Sequence, residues 1–211
     1  LLWLKDGKSF IWTTERKGAW QVEWRKANGA LERFVTPRDF GYKRLLAVDH
    51  ARKQIYVQGG PDPRETHLWR FSMTSGKGER LTTAPGSHSA VFSDDRDAFV
   101  HSYHLRDGRL GAEIVRNGAV VATLPAVTEM PPFLPNLELT RTSGKYAFDA
   151  ALIRPRDFAK GQKYPVILSV YAGPTAKRVV SSLRSYFLDQ WMADQGYIVV
   201  RLDNRGTPGY G

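Results

Sequence analysis

Asp6-Gly7-Lys8-Ser9-Phe10-Ile11-Trp12 returns 45 residues later as Ala51-Arg52-Lys53-Gln54-Ile55-Tyr56-Val57, and 44 residues after that as Asp95-Arg96-Asp97-Ala98-Phe99-Val100-His101. Each copy is a polar turn opening into a short β-rich run. The segments that follow also match. Trp20-Gln21-Val22-Glu23-Trp24 precedes a turn at Asn28-Gly29 and then Leu31-Glu32-Arg33-Phe34. His67-Leu68-Trp69-Arg70-Phe71 precedes Ser75-Gly76 and Glu79-Arg80-Leu81; Ala112-Glu113-Ile114-Val115 precedes Asn117-Gly118 and Val120-Val121-Ala122-Thr123-Leu124. Asn-Gly between alternating runs is a strong hairpin signal, because glycine adopts positive φ at no steric cost. A period of about 45 residues with three or four strands per unit predicts β-propeller blades. A plain β-sandwich would not produce three aligned copies. Three blades cannot close a ring, so further blades are expected before Leu1, where the chain starts in a strand-like segment without Met.

Beyond the repeats, Pro125, Pro131, Pro132 and Pro135 interrupt the chain. Proline fixes φ and removes a backbone donor, so this stretch reads as an extended connection. The grammar then changes. Lys145-Tyr146-Ala147-Phe148-Asp149-Ala150-Ala151-Leu152-Ile153 alternates like a half-buried strand. Pro165-Val166-Ile167-Leu168-Ser169-Val170-Tyr171 is nearly all apolar, as a strand covered on both faces requires. A helix follows, capped by Ser181 or Ser182, with Leu183, Phe187 and Trp191 on one face, Leu188 and Met192 beside them, and Gly196 as its stop. Tyr197-Ile198-Val199-Val200-Arg201-Leu202-Asp203 is the next strand, broken at Asn204-Arg205-Gly206. Strand, helix, strand is an α/β unit. The expected fold is therefore all-β propeller blades (partial) over 1–128, a Pro-rich linker over 129–137, and the N-terminal part of an α/β sheet domain over 138–211. The last strand is expected to leave an open apolar edge.

Composition narrows the chemistry. With no cysteine, disulfides, cysteine-ligated zinc and a cysteine nucleophile are excluded. The net charge of +10 is shared equally between residues 1–135 and 136–211, and no basic block exceeds a pair such as Lys43-Arg44 or Lys177-Arg178. Nucleic-acid binding needs a concentrated stripe, so a dispersed excess on a solvated surface is the expectation. No apolar run nears the roughly 20 residues that span a bilayer. Five histidines (His50, His67, His88, His101, His104) all lie in the repeats and are read as structural; no metal or cofactor is expected.

In an open α/β sheet, ligands bind beyond the carboxyl ends of strands. Two such ends are visible: Tyr171-Ala172-Gly173-Pro174 and Asp203-Asn204-Arg205-Gly206. Tyr171 keeps its phenolic proton at neutral pH and could stabilise an oxyanion, although on the residues alone plain aromatic packing is the favoured role. Arg205 suits a loop brace, with Asp203 as its partner. No Gly-x-Ser-x-Gly elbow occurs, and no histidine follows His104, so these residues contain no complete Ser-His-Asp triad.

Several segments together resemble one family. Lys163-Tyr164-Pro165-Val166-Ile167-Leu168-Ser169-Val170-Tyr171-Ala172-Gly173-Pro174 is similar to the opening of the hydrolase sheet in prolyl oligopeptidase-type serine peptidases of the dipeptidyl peptidase IV branch. Leu202-Asp203-Asn204-Arg205-Gly206-Thr207-Pro208-Gly209 resembles that family's Asp-x-Arg-Gly turn. Thr66-His67-Leu68-Trp69-Arg70, Glu79-Arg80-Leu81-Thr82 and Gly86-Ser87-His88-Ser89-Ala90-Val91-Phe92-Ser93 resemble its late blades. The resemblance implies a propeller covering an α/β-hydrolase domain with a Ser-Asp-His triad, and release of N-terminal dipeptides with Pro or Ala in second position. It makes the match to Tyr171 an oxyanion-hole donor, which displaces the packing role, and sets Asp203 and Arg205 as structural residues near the site. It places the triad after Gly211 and the glutamates that grip the substrate amine before Leu1, so the chain alone is expected to be inactive. Peptides with a free N-terminus are the implied partners, with no nucleic acid. The resemblance also admits a homodimeric parent and a periplasmic or secreted home. Competing readings are an oligopeptidase or acylaminoacyl-peptidase of the same family, and a non-catalytic propeller that binds proteins.

Overall fold

The computed structural model describes residues 1–171 and 173–208; Ala172 of the Tyr-Ala-Gly-Pro element and residues 209–211 of the final turn lie outside the described residues. Among the described residues, sixteen strands form four sheets of four. The first sheet comprises β1 (Leu2–Trp3), β2 (Ser9–Thr14), β3 (Gln21–Lys26) and β4 (Leu31–Phe34). The second comprises β5 (Tyr42–Asp49), β6 (Gln54–Gly59), β7 (His67–Ser72) and β8 (Gly78–Arg80). The third comprises β9 (Gly86–Phe92), β10 (Ala98–Leu105), β11 (Leu110–Arg116) and β12 (Ala119–Leu124).

Each of these three sheets is an antiparallel meander in chain order. The three aligned runs become β2, β6 and β10, the second strand of each blade. Their Gly-containing turns join third strands to fourth. Asn117 and Gly118 both take positive φ, 50° and 81°, which is what a tight two-residue hairpin needs to match the strand twist.

The seams between blades differ in chemistry. Ile11, Val22, Val35, Phe40, Val48, Ile55, Val57, Phe71 and Met73 form one apolar cluster across the first and second sheets. Between the second and third, Tyr56 meets Phe92 with ring centroids 4.4 Å apart, and the buried imidazoles of His67, His88 and His101 stack at 5.0 and 5.1 Å. That seam is polar at its centre.

The fourth sheet contains β13 (Leu137–Arg141), β14 (Asp149–Ile153), β15 (Val166–Val170) and β16 (Ile198–Leu202), in the order β13-β14-β16-β15. Only β15 and β16 run parallel. A 3-10 turn over Leu183–Tyr186 leads into α1 (Phe187–Ala193), which packs on β14 and β16 around Ala151, Ile153, Val179, Tyr186, Ala193 and Val199.

Four expectations need correction here. The strand read from Lys145 starts only at Asp149, because residues 145–148 belong to the turn that returns from β13, a strand not foreseen. The last strand has no open edge. The helical connection returns β16 between β14 and β15, so β15 forms the rim. Nor is β15 covered on both faces, since Val166, Leu168 and Val170 stand exposed opposite the face that α1 covers. The helix also turns a different side inward. Leu188 and Trp191 are exposed, Trp191 by 59%, while Tyr186, Asp189, Gln190 and Ala193 are buried. Polar anchors outweigh the apolar stripe: Gln190 accepts from Asn136 N at 2.5 Å and donates to Arg154 O at 3.0 Å, and Asp189 pairs with Arg201.

Candidate active site at the carboxyl rim of the fourth sheet

Tyr171 directly follows β15, so the strand end itself aims its ring beyond the sheet. The ring is 46% exposed, which removes it from the core. Its hydroxyl shares a 2.6 Å hydrogen bond with Thr175 Oγ1. Gly173 underlies the ring: a Cβ there would stand 2.7 Å from Tyr171 Cε1, well inside van der Waals contact. A side chain at 173 would therefore displace the ring.

The loop after Gly173 is anchored by Asp203, which is 2% exposed. Its carboxylate accepts from the backbone N–H groups of Arg178 at 2.7 Å and Val179 at 3.1 Å. Lys177 Nζ lies 3.1 Å from Asp203 and 3.9 Å from Asp149, both buried acids. Burial lowers the Lys177 ammonium below the usual lysine value, against the pull of Asp203. Further along, Tyr186 hydroxyl donates to Val180 O and accepts from Val180 N, both at 2.9 Å; burial pushes its pKa up to about 12. Together these bonds fix the segment between Tyr171 and α1.

Asp203 does not serve Arg205 as foreseen. It is consumed by Lys177 and two amides, and Arg205, exposed, lies over the Tyr146 ring at 5.8 Å from its centroid. The basic pair Lys177-Arg178, read as solvated, is instead part of the rim. Thr175, Lys177 and Lys43 were missed by sequence reasoning. For Thr175 and Lys177 the only local signal was their place in the loop after a strand end, and Lys43, inside β5, had none.

The second blade meets this rim. Ser181 N donates to Arg64 O at 2.7 Å. Arg184 Nη1 lies 3.2 Å from His104 Nε2 of the third blade. A cavity of about 790 Å³ opens between blades and rim; it reaches Thr175, Lys177 and Pro208 on one side and Trp20, Tyr42 and Lys43 on the other. A cavity of equal volume lies between the second and third blades, lined by His88, His101 and Glu113, and takes no residue from the fourth sheet. Among the described residues, no group of three or more His, Cys, Asp or Glu is placed to hold a metal, and no helix is long and apolar enough to cross a membrane.

Radially repeated four-stranded sheets, joined to an α/β sheet whose parallel rim strand ends in an exposed tyrosine, define the class: propeller blades running into the opening of an α/β-hydrolase domain. The chain belongs to the dipeptidyl peptidase IV family, whose N-terminal region, "Dipeptidyl peptidase IV (DPP IV) N-terminal region", matches residues 1–107. It is 28% identical to human dipeptidyl peptidase 8 over 180 residues, covering 77% of this chain and 20% of that protein. It is 27% identical to dipeptidyl-peptidase 5 of Porphyromonas gingivalis over 227 residues, covering 98% and 31%. The crystal structure of Porphyromonas gingivalis dipeptidyl peptidase 4 superposes with a TM-score of 0.89 at 21% identity, covering 100% of this chain and 31% of that one, a likeness of fold. The chain thus spans between a fifth and a third of the relatives it matches.

Proposed function

We propose that this chain supplies the late propeller blades and the oxyanion-stabilising rim of a serine-type dipeptidyl peptidase. In this reading residues 1–128 are blades, 129–137 a connection, and 138–211 the opening of the peptidase domain, with Asp203 and Arg205 bracing the loops beside the site. The observation that carries it is Tyr171: a half-exposed phenol at the carboxyl end of a parallel strand, seated on Gly173 and tethered to Thr175, which itself lines the cavity between blades and rim. Peptides with a free N-terminus are the substrates this reading implies, cleaved after the second residue.

The chemistry asked of Tyr171 is limited. When a serine oxygen adds to the scissile carbonyl, the carbonyl oxygen gains negative charge. A phenolic O–H donates to that oxygen and stabilises it more than the ground-state carbonyl, which lowers the barrier. The Thr175 bond holds the phenol in place beforehand, and when the Tyr171 O–H turns to the oxyanion the Thr175 hydroxyl can donate to the phenolic oxygen. The nucleophile is not among these 211 residues, which contain no Gly-x-Ser-x-Gly elbow. The isolated chain is therefore expected to release no arylamine from a Gly-Pro-arylamide.

The test is Tyr171→Phe in the full-length parent. Loss of one oxyanion donor lowers kcat by about 10²–10³-fold with little change in KM. A wild-type kcat in the variant would overturn the role given to Tyr171.

A further inference from the structure

The cavity that reaches Thr175 has an unusual charge lining: Lys43, Arg44 and Lys177, with no carboxylate among its lining residues. Two of these cations are occupied. Lys177 is held between Asp203 and Asp149. Lys43 Nζ donates to Pro63 O at 3.1 Å, Glu65 O at 2.5 Å and Thr66 Oγ1 at 2.8 Å; burial, and then the Lys177 charge, lower its pKa to about 8.

Arg44 differs from both. It sits near the start of β5, is exposed, and its guanidinium makes no hydrogen bond or ion pair with the described residues. A guanidinium offers a planar fork of donors. Trp20 and Tyr42 stand in the same wall. A concave wall with aromatic surface and one unspent guanidinium suits a peptide that carries a carboxylate.

Direction follows from repulsion. A peptide's α-ammonium is disfavoured beside the Arg44 guanidinium in a wall whose lining residues include no carboxylate. The part of a substrate that lies along this wall is therefore the part away from its free amine. We propose that Arg44 binds a carboxylate on the leaving side of the substrate, beyond the cleaved bond. That carboxylate comes either from an Asp or Glu side chain or from the C-terminus of a short peptide. This inference rests on the peptidase reading above.

The experiment uses the full-length parent and three peptides: Gly-Pro-Ala-Ala-amide, Gly-Pro-Glu-Ala-amide and Gly-Pro-Ala-Ala with a free C-terminus. The peptides with a carboxylate are expected to show kcat/KM about fivefold above the neutral amide at low salt, chiefly through KM, and the advantage shrinks as salt screens it. Which of the two peptides gains identifies the source of the carboxylate. In Arg44→Gln the ratio falls to about one, and in Arg44→Lys it is intermediate, since charge stays but the fork is lost. Each ratio is taken within one protein, so altered folding does not imitate the effect. A wild-type ratio near one, or an unchanged ratio in Arg44→Gln, overturns the proposal. Calorimetric binding of the same peptides separates the two readings. No turnover with acid-selective binding sinks the peptidase assignment alone; equal affinity for acid and amide sinks the role of Arg44.

Discussion

Acid should open the seam between the second and third blades, and His88 sets the threshold. Its imidazole is 3% exposed. Nε2 lies 2.7 Å from Ala84 O, a carbonyl that can only accept, so Nε2 carries the proton. Nδ1 faces His101 Nε2 at 2.9 Å, and with His101 Nδ1 turned to the Glu113 carboxylate the two rings share one proton at that contact. His101 Nδ1 in turn faces Glu113 Oε1 at 2.9 Å. A proton on each nitrogen of that contact would set N–H against N–H and break the chain of bonds. The charged groups around it do not relieve this. Arg80 and the rings of His67 and His101 oppose a positive charge on His88, Lys43 adds to that field at His67, and the nearer acids Glu65 and Glu113 are engaged with His67 and His101. Burial, the largest influence, lowers the His88 pKa to about 4, although the Ala84 bond works in the opposite direction.

The sign follows from linkage. A histidine depressed in the folded state stays neutral there while the unfolded chain, near pKa 6.5, takes up a proton. Stability is then full above about pH 6.5 and declines as pH falls toward 4, at about 1.4 kcal/mol per pH unit. At pH 5 the loss is about 2 kcal/mol from this residue alone, and His67, also lowered mainly by burial, adds in the same direction. His88→Gln keeps a donor for Ala84 O but deprives His101 Nε2 of its ring partner, so it costs about 1–2 kcal/mol at pH 7.5. It also removes the titrating group. Hydrogen exchange of the β9 and β10 amides, read at pH 7.5 and 5.0 after correction for intrinsic rates, measures this locally without assuming two-state unfolding. Wild type should lose about 2 kcal/mol of protection between these pH values and the variant markedly less. Parallel pH profiles for the two proteins would refute the reasoning.

Two further outcomes follow from the rim. Gly173→Ala places a methyl 2.7 Å from Tyr171 Cε1; the exposed ring swings aside more cheaply than the backbone, so unfolding midpoints should hold while kcat in the parent falls about tenfold or more, as oxyanion geometry is lost. An unchanged kcat would show that the ring position is irrelevant. Asp203→Asn removes the nearer carboxylate from Lys177 and weakens two backbone bonds; loss of one member of a buried pair costs about 3 kcal/mol, measured by urea denaturation, and a change under 1 kcal/mol would contradict the anchoring role.

How much of this could be read from residues alone depends on the range of the interactions. The blades were legible because each hairpin is written locally, in turns such as Asn117-Gly118, and because the unit repeats. The strand that ends at Tyr171 was legible for a similar reason, as an apolar run closed by Gly-Pro. The helix face was not. Leu183, Phe187 and Trp191 share a side of an ideal helix, yet Gln190 and Asp189 hold partners distant in sequence, Arg154 and Arg201, that periodicity cannot see. The histidine column was equally hidden. His101 and Glu113 are register partners across β10 and β11, but His88 reaches them diagonally and His67 comes from another blade. Spacing along the chain carries no trace of either.

The distribution of charge shows why these hidden pairings matter for the site. A net charge of +10 spread evenly along the chain suggests a uniformly solvated surface. In the folded chain the acids are not spread that way. Glu23, Asp49, Asp149, Asp189 and Asp203 are all buried, and each draws in basic partners: Arg16 and Arg25, Arg52, Arg141 and Lys177, Arg201, and Lys177 again. Carboxylates spent inside cannot offset cations outside. Where a concave wall forms between blade and rim, the lining therefore keeps its positive sign, and Arg44 stands in it with its donors unused. The same buried acid, Asp203, both fixes the loop that leads from Tyr171 and neutralises Lys177, so the rim is held rigid without adding a negative group to the wall. Structural pairing and ligand preference thus arise from one allocation of charge.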